Sequence, residues 1–399
     1  MLNWRTEPPP TAGLPLTWRD FLPQSSSLEQ DLAKFLSSAE SQIECSGTAA
    51  IMVALAALKG TSKRRSVVIP AYTCPFVPLA IMRCGLTPIL CDTRSNHFDF
   101  CPDALVRVCG DDTLAIMPTH LGGRLADLKT TTIIAKKVGA YVLEDAAQAL
   151  GARYQGLLAG TIGDIGCYSL GVGKGLTIYG GGAIVARDAN MRQQLRNTAQ
   201  EIVPIQFKWE ARRLVELIGY YVLYRPIGLG LAFGISLRRK LKQGKLIEAV
   251  GDDCSANFPL HRVGNWRKGI GARALKRLPD FISLTRVQAK ARKGQLAKII
   301  GLSVMDDAVG DEGTWPYFLV LMPSEQVRNK VLSELWCAGL GVGRLFIHAL
   351  PDYAFLDLVQ PDTPNARDFA ARTLTISNSP WLVDQDFMKI CKVLEHAVA

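Results

Sequence analysis

No CxxC pair occurs among the ten cysteines of this 399-residue chain, and its five histidines are scattered. Neither a zinc site nor a disulfide framework has the spacing it needs, so no metal is expected and reduced thiols in a cytoplasmic chain are. The opening stretch MLNWRTEPPPTAGLPL has no apolar core behind its early arginine, which argues against a secretory signal. Low-complexity tracts and internal repeats are missing too. What is present is enough apolar material, 48% of the chain, to bury a sizeable core in one large domain or two. The formal charge of +10 favours anionic partners without choosing among them. No nucleic-acid motif accompanies it.

After a Pro-rich arm, SSLEQDLAKFLSSA reads as a serine-capped helix. Short apolar runs then alternate with helical segments. SVVIP, TPILCD, TLAIMPTH, YVLED, IGCYSL and GAIVAR read as strands, with helices through VPLAIMRCG and LKTTTIIAKKVG. This rhythm predicts an α/β fold whose sheet is largely parallel, sandwiched by helices, with ligands at the carboxyl ends of its strands. Tyr72, Thr73, His120, Glu144, Asp145 and the run Ser169 to Lys174 all follow strands and are therefore candidates. Downstream, residues 272–300 read as a long basic helical region with a proline break. TWPYFLVLMP and the helices through 324–339 and 384–398 then complete a smaller α+β unit.

Lys174 sits in SLGVGKGLTIYGGG (169–182), a glycine-rich run that fails as a nucleotide loop. Tyr168 stands where a Walker A motif needs glycine, Gly175 stands where it needs a hydroxyl, and Leu176 stands where a dinucleotide fingerprint needs its third glycine. A lysine on an exposed turn is one reading. The other joins it to Asp145 at the end of YVLED. A lysine in a dry pocket has its charged form disfavoured and becomes a nucleophile toward carbonyls, while a carboxylate in the same crevice can hold a proton on a pyridine nitrogen. In ECSGTAAIMVALAAL, small residues lead into a helix, so Gly47, Thr48 and the helix dipole can seat a phosphate, with Ser169 adding a hydroxyl. An ordinary N-cap is the alternative for that stretch.

SGTAA (46–50), PAYT (70–73), EDAAQALGARYQGLLAGTIGDIGCYS (144–169) and the Lys174 loop resemble, in order and spacing, the DegT/DnrJ/StrS family of pyridoxal phosphate (PLP) dependent sugar aminotransferases. The resemblance runs from about Leu28 to the C-terminus and weakens after Arg187. It implies PLP fold type I, with an N-terminal arm and large cofactor-binding domain over 1–250 and a smaller C-terminal domain over 251–399. It further implies Lys174 as the cofactor's attachment point and proton-moving base, and Asp145 as partner of the pyridinium nitrogen. Gln148 is implied near the phenolic oxygen, and Gly47, Thr48 and Ser169 around the phosphate. A homodimer with shared active sites is implied as well. Three positions depart from the family pattern. Cys74 replaces the usual aromatic stacked on the ring, leaving Tyr72 or His120 for that task. Gly180 replaces a glutamate. The loop HRVGNWRKG offers Arg262 and Asn265 where the neighbour's asparagine and arginine are usual.

The implied activity moves an amino group from glutamate or glutamine to a keto-sugar carried on a nucleotide, for polysaccharide or amino-sugar synthesis. Lysine rather than histidine at 174 favours this over dehydration. Arg262 and Arg344 are candidates for the donor carboxylate or the diphosphate, and His348 for a place near the substrate. Two other readings stand beside it: a PLP-fold regulator or scaffold, and a membrane-docked component of a polysaccharide assembly system. The second rests on residues 205–250, where an apolar stretch broken by Pro226 precedes Arg238, Arg239, Lys240, Lys242 and Lys245. That segment reads as a helical insertion packed over the active site or dimer interface. Its alternative is peripheral contact at the inner face of a membrane, with Trp209, Tyr220, Tyr221 and Tyr224 at the interface.

Overall fold

The structure is a computed structural model that describes residues 6–23, 27–255, 257–358 and 362–399. Its largest sheet has seven strands: β1 (Gln42–Glu44), β2 (Ser66–Pro70), β3 (Thr87–Cys91), β4 (Thr113–Ile116), β5 (Tyr141–Asp145), β8 (Ile165–Ser169) and β9 (Gly182–Ala186), in the order β1-β9-β8-β5-β4-β2-β3. Two short strands, β6 (Arg153–Tyr154) and β7 (Leu157–Leu158), form a separate ribbon with β11 (Asp311–Glu312). From β3 through β8 neighbouring strands run parallel, while β9 is antiparallel to both β8 and β1. The expected strands are all present. The edge strand β1 was not anticipated, because three residues carry too little alternation to read.

Parallel strands need crossovers, and the chain supplies helices for them. The helices before and between the strands are α1 (Leu28–Phe35), α2 (Gly47–Gly60), α3 (Phe76–Arg83), α4 (Pro102–Val108) and α5 (Leu128–Val138). Local chemistry sets their ends. Asp127 caps α5 through Thr130 N–H, and Gly139 stops it at φ 66°, a left-handed turn that suits glycine. Helix α2 is apolar around most of its circumference and correspondingly buried, with Val53, Ala54, Leu55 and Leu58 at zero exposure. Each such leucine or valine contributes on the order of 1.5–3 kcal/mol by leaving water, so α2 is a rigid post against the sheet.

Because β2, β4, β5 and β8 are parallel, their carboxyl ends lie on one edge. The loops 71–74, 117–120, 145–148 and 169–174 therefore converge there, as the alternation predicted. A second sheet, from β10 (Ser303–Val304), β12 (Tyr317–Leu321), β13 (Val342–Gly343) and β14 (Thr373–Ser377), is antiparallel in the order β10-β12-β14-β13. The basic helical region resolves into Asn265–Leu275 and Leu278–Leu296, with Pro279 in the first turn of the second helix, where a missing N–H costs little.

Residues 189–242 form α6 (Ala189–Ile202), α7 (Phe207–Leu223) and a helical stretch Pro226–Lys242. Among the described residues no single helix is long and apolar enough to cross a membrane. Phe207–Leu223 and Pro226–Lys242 reach that length and composition only together, and they are bent by 116° at the proline. The inner face of α7 packs against the end of the lysine loop, with Tyr220 beside Tyr179 and Arg213 beside Gly180. Tyr220 and Tyr224 lie in that buried face, stacked 4.3 Å apart, with the Tyr224 hydroxyl donating to Thr11 carbonyl. These two of the four predicted aromatics thus belong to the core rather than to an interface, while Trp209 and Tyr221 are half-buried.

Candidate active site

At the convergent strand ends lies a cavity of about 300 Å³ lined by Gly47, Thr48, Thr73, Cys74, Thr119, His120, Asp145, Gln148, Ser169 and Lys174, closed by Phe76, Leu345 and Phe346. Seven of the eight residues expected around a cofactor are here. The sequence separates them by up to 127 positions, and the parallel sheet brings them together.

Strand alternation explains why the neighbours Glu144 and Asp145 differ in function. Glu144 turns into the protein, fully buried. It accepts from His120 Nε2 at 3.0 Å, Gly160 N–H at 2.7 Å, Ile162 N–H at 2.7 Å and Gly163 N–H. Gly166 is forced by the same turn, because a Cβ there would lie 1.9 Å from the Gly160 carbonyl oxygen. The glycine series after EDAAQ is therefore scaffolding for this carboxylate. Asp145 turns the other way, into the cavity. Its Oδ1 accepts from Ala147 N–H at 3.1 Å, and Oδ2 has no protein donor among the described residues. Burial raises the Asp145 pKa against the opposing pull of the Ala147 hydrogen bond, Lys174 and His120.

His120 is held from both sides. Its Nδ1 accepts from Ala126 N–H at 3.0 Å, which leaves the Nε2 proton for Glu144 and fixes the ring as a wall. Gln148 is oriented by its acceptor: Oε1 receives Gly122 N–H at 3.0 Å and the Tyr317 hydroxyl at 2.5 Å. The amide NH2 is then the end left for a ligand.

Lys174 rides on a loop between β8 and β9 whose shape is fixed from three directions. Leu170 and Gly181 close its base through a backbone bond of 2.7 Å, and Leu176 and Ile178 are fully buried. The N-terminal arm straps its outer side, with the Thr11 hydroxyl donating to Gly173 carbonyl at 2.6 Å and Leu14 N–H to Gly175 carbonyl at 3.2 Å. On the return, Arg267 donates to the carbonyls of Ile178 at 3.1 Å and Gly180 at 2.6 Å, while its other nitrogens grip Glu210 at 2.8 and 2.6 Å. Gly180, where the family has glutamate, has φ 105°, which a side chain would strain. Burial lowers the Lys174 pKa, partly offset by Cys74 and Asp145. More of the free amine is available than on an exposed lysine.

The far end of the cavity is an anion cradle. Ser46 caps α2, its Oγ accepting Ala49 N–H at 3.0 Å and its carbonyl accepting Ala50 N–H. Among the described residues the Gly47 and Thr48 N–H groups have no acceptor at the helix N-terminus, and the Thr48 and Ser169 hydroxyls stand beside them. A Cβ on Gly47 would press on Ser169 Cβ at 3.0 Å, so glycine keeps the cradle open. Donors for a dianion at one end, with an unpaired carboxylate and a depressed lysine at the other, fit a phosphorylated pyridine aldehyde.

Five expected residues lie elsewhere. Tyr72, fully buried, packs edge-on to Phe346 and Phe369 behind the cavity wall, because the chain alternates past β2 and gives the cavity Thr73 and Cys74 instead. It cannot stack on a ligand there. Arg262 is exposed and donates to the carbonyls of Val203 and Gln200 at the end of α6. Asn265 begins a helix on the surface. Neither reaches this chain's cavity. Arg344 gives Nη2 to the carbonyls of Ile347 and Ala370, and His348 packs on Tyr353; neither lines the cavity. Sequence reasoning missed Arg267, two residues from the loop asparagine it chose, since burial leaves no mark on a lone arginine. The Cys74 thiol, pushed up to about 12 by burial, is an uncharged wall residue.

The sequence pattern of the DegT/DnrJ/EryC1/StrS aminotransferase family matches residues 16–220 and 256–395. GDP-perosamine synthase from Caulobacter vibrioides is 33% identical over 356 residues, 88% of this chain and 84% of that one. Protein MosB from Rhizobium meliloti is 38% identical over 152 residues, 38% of this chain and 30% of MosB. The match covers less than half the length of several such relatives. In fold, the chain is similar to the E. coli GDP-4-keto-6-deoxy-D-mannose-3-dehydratase with bound hydrated PLP, with a TM-score of 0.70, 18% identity, and coverage of 92% of this chain and 90% of that one. The fold is that of the PLP type I enzymes, and the chain belongs to the DegT/DnrJ/EryC1/StrS aminotransferase family.

Proposed function

We propose that this protein is a PLP-dependent aminotransferase that places an amino group on the ketone of a nucleotide-linked sugar, with glutamate or glutamine as donor, for polysaccharide or amino-sugar synthesis. The observation that carries the reading is the single cavity that joins Lys174, the unpaired Asp145 Oδ2 and the unspent donors of Gly47 and Thr48. When bound, PLP supplies a ring that draws off the electron pair left on a substrate carbon when its proton departs. The chain does the rest. Asp145 would keep a proton on the ring nitrogen, and burial would strengthen that pairing because little water competes for the carboxylate. Gly47, Thr48 and Ser169 seat the phosphate, and the Gln148 NH2 meets the phenolic oxygen. His120 closes one side of the site. Lys174 would hold the cofactor at its aldehyde carbon and, as a free amine, would carry the proton to and from the reacting carbon, a task its lowered pKa suits.

Arg262 and Asn265, the candidates on the loop HRVGNWRKG, are exposed and do not line their own cavity. In this reading they serve a second copy's site. The test is a donor screen followed by a screen of nucleotide-linked keto-sugars. Glutamate or glutamine should convert the cofactor to its amine form, and a keto-sugar nucleotide should return it to the aldehyde with an aminated product. Cofactor binding without conversion by any donor overturns the reading and favours a regulatory PLP-fold protein.

A further inference from the structure

We propose that the outward face of α7 and the turn beyond it dock this protein on an anionic lipid bilayer. Phe207, Ala211, Val215, Ile218 and Val222 follow one another at steps of three or four residues, so they form one stripe along the helix. That stripe is exposed: Phe207 is 82% accessible, Val215 69% and Val222 61%. The opposite face is already satisfied by Leu217, Tyr220 and the Glu210–Arg267 pair against the lysine loop. Beyond the break the exposed apolar residues continue with Ile227 and Leu231. A helix with polar and apolar faces normally buries the apolar one; here both faces are apolar and only one is covered.

Charge identifies the occupant. Residues 205–245 carry nine basic and two acidic side chains. Both acids are consumed, Glu210 by Arg267 and Glu216 by Arg212 and Arg213. Lys208, Arg225, Arg239, Lys242 and Lys245 are exposed and have no ion pair among the described residues. Cations around an apolar stripe fit a layer of negative headgroups over acyl chains. A second copy fits worse, since a two-fold contact through this stripe would bring together two surfaces whose carboxylates are already paired and whose remaining charges are cations. The family pattern matches through residue 220 and resumes at 256, so most of the stripe lies within the matched range, while the turn and the basic residues Arg225 to Lys245 lie outside it. The 116° bend keeps the two helical arms from spanning as one rod and suits a segment lying in the interface plane.

The test uses the full-length holoprotein, sedimented with phosphatidylcholine vesicles and with vesicles in which about one quarter of the lipid is phosphatidylglycerol. Binding is expected only to the anionic vesicles and weaker at high salt. Val215→Glu with Val222→Glu should lower the partition at least about tenfold, equal to about 1.4 kcal/mol. Both side chains point to solvent, so the visible spectrum of bound cofactor should be unchanged, and that spectrum separates lost docking from misfolding. Equal binding by the double variant, or none by the wild-type chain to either vesicle, overturns the proposal. So does a wild-type dimer in analytical ultracentrifugation that this double variant dissociates, which would assign the stripe to a second copy.

Discussion

Replacing Arg267 by Met tests how the lysine loop is held. The wild-type guanidinium is fully buried and makes five hydrogen bonds, two to the Glu210 carboxylate, two to the carbonyls of Ile178 and Gly180 and a longer one of 3.4 Å to His261 Nε2. Methionine keeps much of the volume and removes every donor. Breaking one side of a buried ion pair costs roughly 3–5 kcal/mol, because the remaining charge is stranded. Glu210 keeps some access to water, its side chain being 21% exposed, so the lower half of that range is expected, about 3 kcal/mol. Arg267→Met combined with Glu210→Met removes the stranded charge and should recover at least about half of the loss. A second signature involves His261, whose Nε2 lies 3.6 Å from Glu210 and whose pKa is lowered by burial and by Arg267. Without Arg267 the imidazole protonates more readily and can pair with Glu210, so the deficit should shrink as the pH falls. Urea unfolding of the apoproteins at several pH values measures all three effects. A loss below about 1 kcal/mol, or a double variant no better than the single, would refute the claim that this pair holds the loop.

Two further consequences follow from buried carboxylates. Asp145→Asn should retain cofactor binding through the phosphate cradle yet lower kcat by at least roughly a hundredfold, since the amide cannot hold a proton on the ring nitrogen; near-normal turnover in stopped-flow assays would remove Asp145 from the site. Glu44, 4% exposed, has its pKa raised to about 7, chiefly by burial. Its raised folded value means that the folded chain holds a proton the unfolded chain has lost between about pH 4.5 and 7. The stability this contributes is full below that window and lost as pH rises through it, by on the order of 3 kcal/mol at most. Glu44→Gln should flatten the dependence in thermal unfolding, and an identical slope in variant and wild type would contradict the assignment.

Much of the site was legible before the structure because its parts sit at strand ends, and strands of buried parallel sheets announce themselves as short apolar runs. Asp145, His120, Ser169 and Lys174 were found that way, and the cradle at Gly47 and Thr48 through its small residues. What stayed hidden depends on which way a side chain turns outside regular structure. Tyr72 and Thr73 are adjacent letters, yet only Thr73 faces the cavity. Arg262, Arg267 and Arg344 are the same letter, yet one is exposed at a helix end, one is fully buried in an ion pair and one holds backbone carbonyls. The 205–250 insertion was recognised as a helical cover, but its contact face was assigned to the tyrosines. Large aromatics with a hydroxyl can serve an interface or a packed core equally well, and the lysine loop took them.

The central claim is that Lys174 and Asp145 face one another across a bound pyridine ring, and borohydride reduction of the holoprotein followed by peptide mass analysis tests it most directly. The account predicts a stable phosphopyridoxyl adduct on the peptide containing Lys174, absent in Lys174→Ala although that variant still binds pyridoxamine phosphate. An adduct on another lysine, or one that survives in Lys174→Ala, would contradict it.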